Sequence, residues 1–204
     1  MLGEPETSYN QVVSSMVEAI EQFDLCDSKR YKHWLAQTYF YTSHSVTLLD
    51  LFSQAASDES IKRRWSTHST EEQGHENLAL ADLKSMGGNI DTYIELPSTR
   101  ALYFNQIAIA KSTNGVGNLG WAIALEGLAA NVSKEYVENI LKIHGEKSTS
   151  FIQVHIEADP DQIDKALRLA NSVNEQQSII QNLTMTGNQY IAMLNDIKNE
   201  VNTM

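Results

Sequence analysis

The sequence predicts an all-α protein, a bundle of seven or eight helices joined by short links. Three observations predict it. The only prolines are Pro5, Pro97 and Pro160, which leaves long stretches free of the residue that removes a backbone donor and clashes with the preceding turn. Apolar residues recur at helical spacing through most of those stretches, and no segment alternates convincingly as a strand would.

The elements follow in order. From Tyr9 to Phe23, the residues Val12, Val13, Met16, Val17, Ile20 and Phe23 fall on one face of a first helix. Asp27-Ser28 is a start signal for a second, expected to run to about Ala56 through Trp34, Tyr41, Leu48 and Leu49. Ser57 or Asp58 caps a third, which passes Ile61, Trp65 and Leu78 and reaches about Lys84, where Gly87-Gly88 stops it. Residues 88–98 read as a connection before a helix near 98–111. Gly115, Gly117 and Gly120 precede the apolar run WAIALEGLAA; their spacing matches no nucleotide fingerprint and suits close helix packing or a kink. Ser133 caps a helix to His144, which Gly145 ends, and 148–158 form another. Pro160 opens a long closing helix through Ile163, Ala166, Leu167, Leu169 and Ala170, and the last segment, near Gln189 to Met204, repeats the pattern through Ile191, Leu194, Ile197 and Val201.

Composition bounds the function. A chain of 204 residues is expected to form a single helical domain over 1–204. Its formal charge of -11 repels a phosphate backbone, and the longest basic cluster is only Lys62-Arg63-Arg64, so nucleic acid is not an expected partner. No apolar run is long enough to cross a membrane. The start MLGEPETSYN lacks the features of a secretory signal, and the lone Cys26 has no internal disulfide partner, so a cytoplasmic location is expected.

The residues that carry chemistry lie in three segments. In HSTEEQGHENLALADL, the residues His68, Glu72 and His75 are four and three apart, which on a continuous helix places them along one face. A Glu followed by a His three residues on is how helical bundles present a carboxylate and an imidazole to iron or manganese; Glu71 falls one step round the helix, facing outward or supporting the site. The second signal is Glu126, embedded between Trp121 and Ala130 in an apolar helix, where a carboxylate must be paired, protonated or bound to a cation. The alternative is a hydrogen bond from a Tyr or Trp of a facing helix, or an exposed ridge. In FIQVHIEADPDQIDKAL, His155 and Asp159 are four apart with Gln162 three further on. His155 is either a ligand or a satisfied core histidine, and Asp159 either a ligand or the cap of the helix opened by Pro160. Together Glu72, His75, Glu126, His155 and Asp159 form the mixed oxygen and nitrogen set of non-haem iron or manganese. A dinuclear centre wants about six protein ligands, and His68 and Gln162 are the candidates to complete it.

The segments YKHWLAQTYFYTSHS, EEQGHENLALADLKSMGG, WAIALEGLAA and HIEADPDQIDKAL resemble those of the haem-oxygenase-like diiron oxidases and oxygenases, part of a broader group that takes in TenA-like, PqqC-like and chlamydial death-domain-associated proteins. The likeness is strongest over residues 28–170. It implies a haem-oxygenase-like, TenA-like bundle in which Fe(II), one or two ions, or manganese is held between helices and activates dioxygen as co-substrate to oxidise a small molecule. It implies metal ligands at Glu72, His75, Glu126, His155 and Asp159, with Glu72, Glu126 and Asp159 in catalytic roles. His68 stands where another subgroup carries its first Glu. Gln162 stands in place of an expected His, and its neutral amide oxygen implies a loosely held second metal. Tyr31, Tyr39, Tyr41, Trp34 and Trp121 either supply a redox-active neighbour or shape an apolar pocket. A paired subunit arrangement, a homodimer, is expected of such helical domains. The competing readings are a metal-free TenA-like or PqqC-like enzyme acting on a small heterocycle, and a non-catalytic helical binding or interaction protein. Haem binding through His33 or His44 is a weaker variant.

Overall fold

A computed structural model describes residues 4–156 and 160–203, without the side chains of 160–162. Among the described residues the regular structure is helical throughout: α1 Glu4–Phe23, α2 Ser28–Thr42, α3 Ser45–Ala55, α4 Glu59–Glu71, α5 His75–Ser85, α6 Pro97–Thr113, α7 Leu119–Asn131, α8 Lys134–His144, α9 Ser150–Ile156, α10 Pro160–Ser172 and α11 Gln176–Thr203. The all-α bundle expected from the sequence is therefore what forms. The caps explain several starts: the Asp27 side chain accepts from the backbone N–H groups of Lys29 and Arg30, Asp58 from those of Ser60 and Ile61, and Ser133 from that of Tyr136. Each such cap is worth about 1 kcal/mol. Pro97 opens α6, where its missing N–H costs nothing.

Two helices expected to be continuous are each broken. The second ends at Thr42 and restarts at Ser45, because the Thr42 and Ser43 hydroxyls donate back to the carbonyls of Thr38 and Phe40, both at 2.8 Å, and compete with the helical ladder. The third breaks between Glu71 and His75, where Gly74 takes a left-handed φ of 89°. The chain's end is also divided differently from the expectation. The helix opened by Pro160 is short, and the long closing helix is α11, of 28 residues. Its inward face carries Asn182, Thr186 and Gly187 among Ile179, Leu183 and Tyr190, so polar residues in core positions hide its apolar period.

Helix α7 runs through the centre, packed against α1, α9, α10 and α11, while α11 also lies against α1, α2 and α6. The glycine cluster makes this packing close. A Cβ on Gly120 would stand 2.2 Å from the Ile179 carbonyl oxygen and 2.5 Å from the Leu183 nitrogen of α11. Beside it a fully buried amide network ties three elements: Asn182 Nδ2 donates to Gln106 Oε1 at 2.8 Å and to the Gly117 carbonyl at 3.0 Å, and Asn118 Nδ2 donates to Gln106 Oε1 at 3.0 Å. The space that holds the site is lined chiefly by α2, α4, α7, α8 and α9, with His75 from the start of α5. No described helix is long and apolar enough to cross a membrane.

Candidate metal centre

The break at Gly74 builds the first part of the site. His68 lies in the last turn of α4, Glu72 is the residue that ends it, and His75 begins α5. The three are therefore not successive positions on one helical face as the spacing implied. The turn between the helices nonetheless aims them together, with His75 Nδ1 at 3.3 Å and His68 Nε2 at 3.6 Å from Glu72 Oε1.

His155 reaches the same point from α9, whose start is fixed from a distant helix. Asp82 of α5 is fully buried and accepts from the Ser150 N–H at 3.1 Å, the Phe151 N–H at 2.8 Å and the Ser150 hydroxyl. It caps α9 across a separation of 68 residues. Phe151 then stacks on the His155 ring, with centroids 4.1 Å apart, and the His155 ring meets that of His75 edge-on at 4.9 Å. His155 Nδ1 lies 2.7 Å from the Phe151 carbonyl oxygen. A carbonyl only accepts, so Nδ1 carries the proton and Nε2 keeps its lone pair, the tautomer a metal ligand needs. One ligand atom each from Glu72, His75 and His155 lies within 4.8 Å of the others.

The electrostatics agree with a cation site. Burial pushes the Glu72 carboxyl up, but His68 and His75 on either side outweigh it and hold the group well below the usual carboxylate range. The Glu72 carboxylate raises His75, with burial opposing. Burial lowers His155, opposed by its bond to the Phe151 carbonyl. Two nitrogens and an oxygen at this spacing suit a first-row transition metal. Among the described residues, His68 Nδ1 and Glu126 Oε2 are buried atoms without a hydrogen-bond partner, and a bound ion is one explanation for such atoms in native proteins. On these grounds the residues fit a metal ion.

Glu126 stands one step away. Its Oε1 accepts from Arg64 Nη2 of α4 at 2.7 Å and lies 3.4 Å from His68 Nε2. The carboxylate is thus paired, though with neither the Tyr nor the Trp weighed from the sequence. Asp159 and the Gln162 side chain lie outside the described residues. Glu71 is exposed at the cavity rim. Sequence reasoning missed Arg64 and Asp82. Arg64 could have been found four residues before His68, on the face that continues to Glu72; Asp82 could have been found by the argument applied to Glu126, since it too is a carboxylate among Leu78, Ala79, Leu80, Ala81 and Leu83.

The cluster forms one end of a cavity of about 450 Å³ whose other walls include Ile20, Leu25, Trp34, Leu128 and Ile152. Tyr41 and Trp121 also line it, whereas Tyr31 is turned away, stacked on His144 and donating to the Ser148 carbonyl at 2.7 Å. The wall phenols Tyr136 and Tyr190 already have partners: Tyr136 donates to the Ile20 carbonyl at 2.7 Å, and Tyr190 accepts from Trp34 Nε1 at 3.0 Å. His33 and His44 do not line the cavity. His33 pairs with Glu200 at 3.0 Å, and His44 stacks on Tyr103.

A helical bundle thus turns two imidazoles and a carboxylate, a candidate metal site, toward a largely apolar cavity. The chain belongs to the family of iron-containing redox enzymes, which matches residues 32–189. No curated protein matches it. Among solved structures it is similar to a domain of unknown function with a heme oxygenase-like fold from Shewanella denitrificans OS217, at 23% identity and a TM-score of 0.79 over 96% of this chain and 93% of that one. It is also similar to a TenA homologue from Pseudomonas syringae pv. tomato DC3000, at 11% identity and a TM-score of 0.61 over 97% and 94%. These two likenesses are of fold, and they agree with the haem-oxygenase-like, TenA-like bundle expected from the sequence.

Proposed function

We propose that the chain is an iron-dependent oxidase or oxygenase that uses dioxygen to oxidise a small, largely apolar organic molecule. The observation that carries this reading is the convergence of Glu72, His75 and His155 at one end of an apolar cavity. Glu72, His75 and His155 would hold the metal, with the unpartnered Glu126 Oε2 and Asp159 as further ligands. Iron held there would supply the one-electron and dioxygen chemistry that side chains lack.

The chain's own residues do the rest. The Asp82 cap and the Phe151 carbonyl fix the position and tautomer of His155. His68 Nε2 stands between Glu72 Oε1 at 3.6 Å and Glu126 Oε1 at 3.4 Å and links the two carboxylates. The apolar walls bind the body of the substrate. No lysine or arginine lines the cavity among the described residues, so a hydrocarbon body fits better than an amino acid or a sugar phosphate. The cavity volume lies within the span of about 300–1,000 Å³ usual for small-molecule sites.

Anaerobic titration of the metal-free chain with Fe(II), followed by absorption or Mössbauer spectroscopy, tests the proposal. Specific uptake is expected, and changing both His75 and His155 to alanine is expected to weaken it at least a hundredfold. Unchanged uptake in that variant would overturn the reading. Protons compete with metal for a ligand, and His75 takes its proton above the ordinary imidazole range of about 6.5. Affinity should therefore begin to fall above pH 6.5 as the solution is acidified, and continue down by about tenfold per pH unit for each proton displaced. An affinity flat between pH 5 and 8 would contradict this.

A further inference from the structure

Arg64 has no part in the resemblance and does not line the cavity, yet it touches the cluster directly. Its guanidinium donates to Glu126 Oε1 at 2.7 Å, both side chains are largely buried, and His68 Nε2 stands on the same oxygen at 3.4 Å. Glu126 Oε2 is buried and has no hydrogen-bond partner among the described residues. The two oxygens of one carboxylate are therefore in different states, one committed to an arginine and one without a partner among the described residues.

From this asymmetry we infer that the centre holds a single metal ion, with Arg64 occupying the place of a second cation. The inference rests on the metal-centre reading above. A carboxylate that bridges two metals gives one oxygen to each, and in this chain the arginine holds one of the two. Glu126 is left able to offer only Oε2. Charge points the same way. The Arg64 guanidinium, a permanent cation, already offsets the charge of Glu126, and a second dication would face it across the shared carboxylate, where opposition between like charges is strong in a largely buried setting. Arg64 and His68 lie one turn apart on α4, so one helical face supplies both groups that engage Glu126 Oε1. Arg64 is thus a positioning residue: it sets how Glu126 presents its free oxygen and how many ions the cavity accepts.

The test is metal stoichiometry, measured with Fe(II) and with Mn(II) by anaerobic calorimetry and elemental analysis of the full chain. The wild type is expected to take one equivalent per chain. Arg64→Gln, which removes the charge and frees Glu126 Oε1, is expected to approach two equivalents, with circular dichroism confirming the fold. Arg64→Lys, which keeps the charge, is expected to stay at one. Two equivalents in the wild type or in Arg64→Lys, or one equivalent with unchanged affinity in folded Arg64→Gln, would overturn the inference while leaving the metal-centre reading intact. No uptake by the wild type would remove that reading and this inference with it.

Discussion

Asp82→Ala is expected to destabilise the chain by about 3–5 kcal/mol and to weaken metal uptake about 10- to 100-fold. The stability loss follows from the two N–H groups and one hydroxyl that Asp82 satisfies at the start of α9. Alanine leaves one buried and two part-buried donors without this acceptor, and a buried donor costs about 1–3 kcal/mol when its acceptor is removed. The affinity loss follows from geometry. His155 lies within two turns of the start of α9, so the cap that fixes that start also fixes His155. Asp82→Asn keeps an acceptor for one of the N–H groups and is expected to fall between the two. A comparably destabilising change elsewhere separates the effects: Leu102→Ala empties a fully buried position in α6 and should cost about 2–5 kcal/mol with metal affinity unchanged. Urea unfolding and Fe(II) titration of the three variants check this, and equal affinity in Asp82→Ala and the wild type would contradict the positioning role.

Gly120→Ala is the second substitution with a large expected effect. The new Cβ would collide with the Ile179 carbonyl oxygen and the Leu183 nitrogen, both backbone atoms that no rotamer change can move aside. Relief requires α7 and α11 to separate, and separation stretches the network in which Asn182 donates to Gln106 and to the Gly117 carbonyl. Overpacking of this kind costs about 1–3 kcal/mol or more, only partly offset by the better helix propensity of alanine, about 1 kcal/mol. Because the collision is with backbone, the upper end applies, and the net expectation is a loss of about 2 kcal/mol, or a fall in Tm of roughly 4–8 °C for a chain of this size. Gly87→Ala is a useful contrast: it has a positive φ of 72° but open space around it, so it bears a backbone penalty alone, about 1–2 kcal/mol. A Gly120→Ala protein as stable as the wild type would show that the α7–α11 approach is looser than described.

Local signals in the sequence were read well because they act locally. The caps at Asp27, Asp58 and Ser133 need only the next three residues to work, and each starts a helix where its side chain predicts. The glycine cluster was legible as close packing for a similar reason, since a missing side chain ahead of an apolar run has few uses. Helix breaks were not legible at Thr42-Ser43, where hydroxyls redirect the backbone, nor at Gly74, a glycine within an otherwise helical pattern. The latter mattered most for the site. The spacing of Glu72 and His75 pointed to the right residues for a reason that does not hold, since they meet across a turn between two helices and not along one.

The limits on the site had the same origin. Glu72, His75 and His155 were each marked by chemistry that stands out in its segment, and the fold brings them together. Arg64 was hidden in a basic cluster that reads as solvated surface, because its partner Glu126 lies 62 residues away. Asp82 was hidden because it caps a helix that begins 68 residues later. Pairings of that range depend on which helices become neighbours, and apolar periodicity does not encode it.

X-ray absorption of the iron-loaded chain tests most directly whether acidic and imidazole groups from separate helices share one ion. The account predicts a shell of nitrogen and oxygen donors with the outer scattering of two imidazoles, lost in part on changing His155 to alanine, and no iron–iron contribution. A shell of oxygen alone, or one that the His155 change leaves untouched, would contradict it.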